Sequence, residues 1–181
     1  MSAFSITIVR IETERLILRA YRQADFDAFA AFYETPRSGF IGGPMPRELA
    51  WRGLATHLGH WALRGFGFWA VEETATGAFC GHVGLWHPEV WPEPEVGLGS
   101  DRPRQGRGLG LEAALAARRP ACRALNWPTA ISMINPGQHK LGSDWRNGWG
   151  AGMMAISPMS GWARCRSGAT RPPATLKETD P

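Results

Sequence analysis

Cysteine is scarce in this 181-residue chain. The three, Cys80, Cys122 and Cys165, are odd in number and show no C-x-x-C spacing. That pattern excludes a disulfide framework and a cysteine-based metal site, so no metal is expected. It fits a reducing compartment, and a cytoplasmic protein is the expectation. Long apolar runs are missing too. The stretch from Met1 to Arg15 lacks the sustained apolar core of a signal peptide. No run approaches the length of a membrane span. Neither end carries a Lys/Arg block that would read as a nucleic-acid arm. Tyrosine occurs only as Tyr21 and Tyr33, both early.

What remains is ordinary for one soluble domain: 44% hydrophobic and 20% charged residues, enough for a sizeable core. The net charge of +4 favours anionic partners without choosing among nucleic acid, a membrane surface and a phosphorylated small molecule. A nucleic-acid-binding module would interleave exposed aromatic and basic residues on one sheet face. Here most aromatics fall at core-compatible spacing, so that reading ranks low.

Periodicity gives the layout. Arg15 to Ala20 alternates as a strand. Phe26, Phe29, Ala30 and Tyr33 fall at helical spacing behind Asp25, which can cap or charge the first turn. Leu49, Leu54, Leu58, Trp61 and Ala62 outline a second helix over Glu48 to Leu63. Two strand-like runs, Gly65 to Glu73 and Gly77 to Trp86, meet at a turn holding Gly77, a hairpin signal. A proline-stiffened loop follows. Glu95 to Asp101 then reads as a short strand weakened or splayed by Gly97 and Gly99. A helix opens near Gly108, with Pro120 a candidate early stop. Thr129 to Asn135 reads as one more strand. The order predicts an α+β, mixed αβ fold: a central, largely antiparallel sheet with helices on both faces.

The stretch Asp101 to Leu115 sets three alternate glycines and Arg102, Arg104 and Arg107 just before a helix. Glycines let backbone approach a ligand, and a helix N-terminus offers free N–H groups and a positive dipole end. Together they form an anion cradle suited to phosphate. The plainer alternative is a glycine-rich loop that only caps the helix. A nucleoside-triphosphate loop would need a terminal Gly-Lys-Ser/Thr, which is absent. A dinucleotide fingerprint over Gly108, Gly110 and Ala113 lacks its preceding tight strand turn and its answering acidic residue.

The hexapeptide Gln105-Gly106-Arg107-Gly108-Leu109-Gly110 resembles the Q/R-x-x-G-x-G/A signature of the GNAT superfamily of N-acetyltransferases. The stretch from Ile11 to Tyr33 resembles the opening of the branch that acetylates ribosomal-protein N-termini and related amines. Gly65 to Trp86 is similar to its central hairpin, and Pro94 to Gly99 to the strand before its pyrophosphate loop. The likeness runs from about Ile11 to Gly137.

This resemblance implies acetyl-CoA as co-substrate, held between two parallel strands that splay apart. The pyrophosphate would sit on N–H groups of Gln105, Gly106, Arg107, Gly108, Leu109 and Gly110. The pantetheine would pair with backbone at Val96, Leu98 and Gly99, with Asn135 a further contact on the neighbouring strand. A backbone N–H there can polarise the thioester carbonyl. An amine attacks only when neutral, so a base must take its proton. Glu95 is the candidate, against the plain reading of a strand carboxylate paired elsewhere. His82 and His87 are the weaker candidates, and His82 reads as a strand histidine. Trp86 and His87 are candidate substrate contacts. Trp69 reads as core, while Trp91 stays open between pocket and core. A thiol with a pKa near ~8.5 leaves without much help, and both tyrosines come early, so no general acid is assigned. The acceptor is a primary amine of a protein N-terminus or a small molecule. A homodimer stays open, and no membrane partner is expected.

The character changes after Asn135. The family-like core is taken as 1–137, with 138–181 an atypical, poorly ordered tail. The segment from Ser143 to Gly168 has no period yet holds three of the nine tryptophans. Where relatives carry a helix and a closing hairpin, this chain reads as if its frame had shifted. Read with the last base of each codon joined to the first two of the next, Trp149 with Gly150 must give Gly, Met153 with Met154 must give Asp, and Met154 with Ala155 must give Gly. Permitted codons then restore the missing helix and a strand. The hypothesis is an insertion or deletion near Pro136 to Ser143, and the alternative is a divergent tail. Resequencing that stretch decides between them. A chain made as written would be a GNAT-like fold with lost or impaired catalysis.

Overall fold

In a computed structural model the described residues are 5–100, 107–125, 127 and 130–132. Five strands, β1 (Ile11–Glu12), β2 (Leu16–Arg19), β3 (Phe68–Glu73), β4 (Phe79–Trp86) and β5 (Glu95–Ser100), lie side by side in chain order. Every neighbouring pair is antiparallel. Three helices, α1 (Phe26–Tyr33), α2 (Arg47–Arg64) and α3 (Leu109–Arg123), cover the sheet. The expected mixed αβ architecture is therefore present.

The two-residue β1 was not visible as a strand in the sequence. Its turn is fixed locally, since Thr13 Oγ1 accepts the Leu16 N–H at 3.0 Å. The β3–β4 hairpin turns at Gly77 with φ of 67°, the left-handed conformation that favours glycine there. Within it, Val71 pairs Gly81 and Glu72 pairs Phe79, so one extra residue, Cys80, bulges from β4.

Alternation along the strands sorts the side chains. Leu16, Leu18, Val71, Val83, Leu85 and Val96 turn to one face and form a core with Leu109, Ala113 and Ala117 of α3. The opposite face meets α1 and α2. The predicted face of α1 holds, with Phe26, Phe29, Ala30 and Tyr33 buried. The predicted face of α2 is partly wrong. Leu54 and Trp61 are buried, but Leu49 is 40% exposed and Ala62 is exposed, while His57 and His60 face inward. The buried stripe is Ala50, Leu54, His57 and Trp61, a regular helical face that the polar letters disguise.

Asp25 does more than charge a helix start. Its carboxylate accepts the Arg22 N–H and both terminal nitrogens of Arg19, and Arg19 Nε also donates to Glu72 at 2.6 Å. These buried charges tie β2, β3 and the entry to α1 together. Pro120 does not stop α3 early. The helix runs on to Arg123, and Ala124 N–H donates back to Pro120 O at 2.9 Å. The proline lies in the last turn, so the bond it cannot give to the Ala116 carbonyl breaks the ladder with only three helical residues still to come.

Candidate active site

Toward β4 the strand β5 is not weakened at its glycines, since all six residues pair, while a splay from its other neighbour falls outside the described residues. The glycines answer a packing need instead. A Cβ at Gly97 would fall 2.9 Å from Phe68 Cζ, and one at Gly99 would fall 2.5 Å from His82 Cε1. Rings lie directly on the strand, and only glycine leaves room for them.

Those rings form a cluster on the α1/α2 face. His57 stacks on Phe68 at 4.3 Å between centroids, and His60 stacks on Trp86 at 4.6 Å. His82 lies 5.5 Å from Phe29. Both tyrosines join them: Tyr21 O and His57 Nδ1 are 3.0 Å apart, Tyr33 O and His82 Nε2 3.4 Å. Burial pushes His82 down to about 4 and His57 well below its ordinary range. Burial likewise raises both tyrosines. The cluster is thus neutral near pH 7. Its members come from four elements and, for Tyr21, the segment between β2 and α1, and sequence reasoning missed His57 and His60 as part of it. The available signal was two histidines on the stripe that carries Leu54 and Trp61.

His60 has its tautomer fixed. Its Nδ1–H donates to the Phe66 carbonyl at 2.6 Å, and its Nε2 accepts the His87 N–H at 3.2 Å. His87 therefore binds α2 through its backbone, and its half-buried side chain opens the loop beyond β4. Trp86, half-buried, stands opposite Glu95 across the β4–β5 ladder.

Glu95 is 7% exposed. Trp91 Nε1–H donates to its Oε2 at 3.0 Å. At this same point β5 gains a parallel neighbour: Val96 N–H donates to Ile131 O at 2.7 Å and Ile131 N–H to Pro94 O at 2.8 Å. Because Val96 N–H points to that side, strand alternation turns the N–H of Leu98 the same way. Among the described residues, no backbone group takes up that edge at Leu98. Gly99 instead turns its backbone toward β4, and the Val96 side chain is buried beneath α3.

The edge leads to the start of α3. Gly108 caps the helix with φ of 77°. A Cβ on Gly110 would meet only Leu98, at 3.9 Å, so packing does not require this glycine inside a helix. Its bare backbone suits close approach by a ligand. Leu109 is buried in the core. Arg107 pairs with Glu73 at 2.8 Å, and Arg15 donates both to the Arg107 carbonyl and to Glu112. Thr13 and the Arg15 N–H also donate to Glu112, so the β1–β2 turn clamps the first turn of α3. Gln105, Gly106, Asn135 and the tail 138–181 lie outside the described residues. Trp69 is core, as expected, at 1% exposure. Among the described residues no group of three or more His, Cys, Asp or Glu could hold a metal, and no helix is long and apolar enough to cross a membrane.

An outward-turned Leu98 N–H beside a glycine-capped helix start offers backbone donors of the kind an acetyl-CoA site uses. A family profile described as an acetyltransferase (GNAT) domain matches residues 15–142. The chain belongs to the GNAT acetyltransferase family. The match ends within the region where the sequence loses its period. An acetyltransferase from Agrobacterium tumefaciens is 33% identical, covering 80% of this chain and 84% of that one with a TM-score of 0.71. A GNAT-family acetyltransferase from Bordetella pertussis shares 22% identity over 86% of this chain and 95% of that one, at a TM-score of 0.69. RimL, a ribosomal L7/L12 alpha-N-protein acetyltransferase solved in complex with coenzyme A, shares the fold at 14% identity, a TM-score of 0.64, and 77% and 82% coverage. This GNAT member is an acetyltransferase, and its mixed αβ fold is that of the family.

Proposed function

We propose that the chain moves an acetyl group from acetyl-CoA to a primary amine, at a protein N-terminus or on a small molecule, by direct attack. One observation carries this reading: the buried Glu95 carboxylate stands where β5 bridges to Ile131, on the face lined by Trp86. RimL, with coenzyme A in its structure, supports the same co-substrate. Leu98 would pair with the pantetheine through its outward N–H, and the bare backbone at Gly108 and Gly110 would receive the pyrophosphate.

Glu95 takes a proton from the ammonium of the acceptor and leaves a neutral amine. The amine nitrogen bonds to the thioester carbonyl carbon, and an N–H along β5 stabilises the oxygen charge that develops. The C–S bond then breaks. Coenzyme A leaves as a thiolate and takes the second amine proton, giving the amide and free thiol. Glu95 returns its proton to solvent. Trp86 and His87 line the acceptor side.

The test is Glu95→Gln assayed with acetyl-CoA against short peptides bearing free N-termini, a polyamine and an aminoglycoside. Turnover should fall about 10²–10⁴-fold, with affinity for coenzyme A by calorimetry nearly unchanged. Full turnover by Glu95→Gln removes the base assignment. A family match ending at residue 142 favours a second reading, a GNAT-like fold with impaired catalysis. Coenzyme A binding by the wild-type chain with no amine acetylated would establish that reading.

A further inference from the structure

The loop between β4 and β5 is built to present one group. It runs from His87 to Pro94 and carries two prolines before its last one, Pro88 and Pro92. Its first residue is pinned to α2 by the His87 N–H to His60 Nε2 bond. Arg64 at the end of α2 reaches Glu89, and Pro94 O is held by the Ile131 N–H. Inside the loop, Trp91 N–H donates to Pro88 O at 3.2 Å, and Val90 takes the left-handed conformation, φ 59°. That conformation is unfavourable for a β-branched residue. The turn sends the Val90 side chain to solvent, 95% exposed, and brings the indole of Trp91 back onto Glu95.

Resting on the base assignment above, we propose that Trp91 is the positioning residue for Glu95. Its indole N–H holds Oε2 and orients Oε1 toward the β5 face where the amine must arrive. A Cβ at Gly97 would lie 3.9 Å from that Oε1 and 2.9 Å from Phe68 Cζ, so the oxygen lies on the β5 face beside the Phe68 ring. An indole suits this task because it is a donor that never accepts and never titrates. It cannot compete for the proton that Glu95 removes. A donor to one oxygen also stabilises the ionised carboxylate, the state in which a base must begin. Among the described residues the other titratable groups at this end of the sheet are His57 and His60 of α2, both kept neutral by burial, Arg64 at the end of α2, and His87, Glu89 and Glu93 in the loop itself.

The test needs no acceptor. In nitrogen-15-labelled protein the Trp91 indole N–H resonance, assigned by its loss in Trp91→Phe, should shift on titration in a single step. That step should vanish in Glu95→Gln. In carboxyl-labelled protein the Glu95 acid dissociation constant should fall on the order of tenfold in Trp91→Phe, as loss of one charge-assisted hydrogen bond requires. An indole resonance indifferent to Glu95→Gln overturns the proposal even if Trp91→Phe does not fold. So does an unmoved Glu95 midpoint in a folded Trp91→Phe, and in both cases loss of turnover in Glu95→Gln would leave the base assignment standing. Conversely, full turnover by Glu95→Gln removes the base, and with it the positioning role, while the indole–carboxylate pair would still be seen.

Discussion

The two faces of one sheet differ in kind. The α3 face is apolar and mostly aliphatic: Leu16, Leu18, Val83, Leu85 and Val96 meet Leu109 and a run of alanines, with Trp69 and, from α2, Trp61 completing the core. The α1/α2 face, built from alternate residues of the same strands, holds rings and charge: Phe68, His82, Trp86 and Glu95. The first face can be packed by any residues of the right size. The second needs particular neighbours, since glycines must make way for rings and each buried polar atom must find a partner. Stability should therefore rest mainly on the first face and chemistry on the second.

The sharpest way to break this division is Leu85→Ala. Leu85 is fully buried on the aliphatic face. Truncation removes its transfer free energy and leaves a cavity, a loss of about 2–5 kcal/mol. Urea denaturation should show it as a lower midpoint at unchanged slope. Glu95→Gln on the other face should shift the same midpoint far less. Equal losses from the two variants would mean that the faces do not divide the work.

The aliphatic face was legible in the sequence and the ring face was not. Alternation of Leu16 with Leu18 and of Val83 with Leu85 is a local pattern, as is the Gly77 turn. The glycine-flanked helix start at Gly108 was legible for the same reason. The ring face is assembled across long separations. Gly97 and Gly99 read as strand weakeners because the rings that require them, Phe68 and His82, belong to other strands. His57 and His60 drew no notice in the sequence because histidine is polar and falls outside a hydrophobic pattern, whereas burial among rings keeps them neutral. Glu95 was singled out as a candidate only beside the family resemblance. Its link to Trp91 depends on a loop conformation set by Val90, which no periodicity reports.

Acid sharpens the contrast further, because the only titratable groups inside the described ring cluster favour their neutral forms. His82 ordinarily titrates near 6.5 and is pushed down to about 4 by burial. Below about pH 6.5 the unfolded chain binds a proton that folded His82 refuses until about pH 4. Stability should be flat in this respect above pH 6.5, fall between 6.5 and 4, and level off below. Linkage gives a loss of about 3 kcal/mol, and His57 adds to it in the same direction. Urea midpoints at about pH 7.5 and pH 4.5 measure the drop, and His82→Phe should reduce it. A drop of the same size in that variant would move the acid sensitivity to carboxylates elsewhere.

The smallest effect belongs to the edge of the ring face, at Val90. Its side chain is almost wholly exposed, so it contributes little burial to offset a left-handed backbone. For a residue with a Cβ that conformation costs roughly 1–2 kcal/mol, and asparagine tolerates it through local hydrogen bonding. Val90→Asn should therefore raise stability by about 1 kcal/mol. Val90→Gly should gain less, because glycine relieves the strain but gives the unfolded chain more freedom to lose. Thermal melts of the two variants check the ranking. Destabilisation by both would show that Val90 packs against something, and that the loop owes its shape to that contact rather than to the bonds at His60, Pro88 and Ile131.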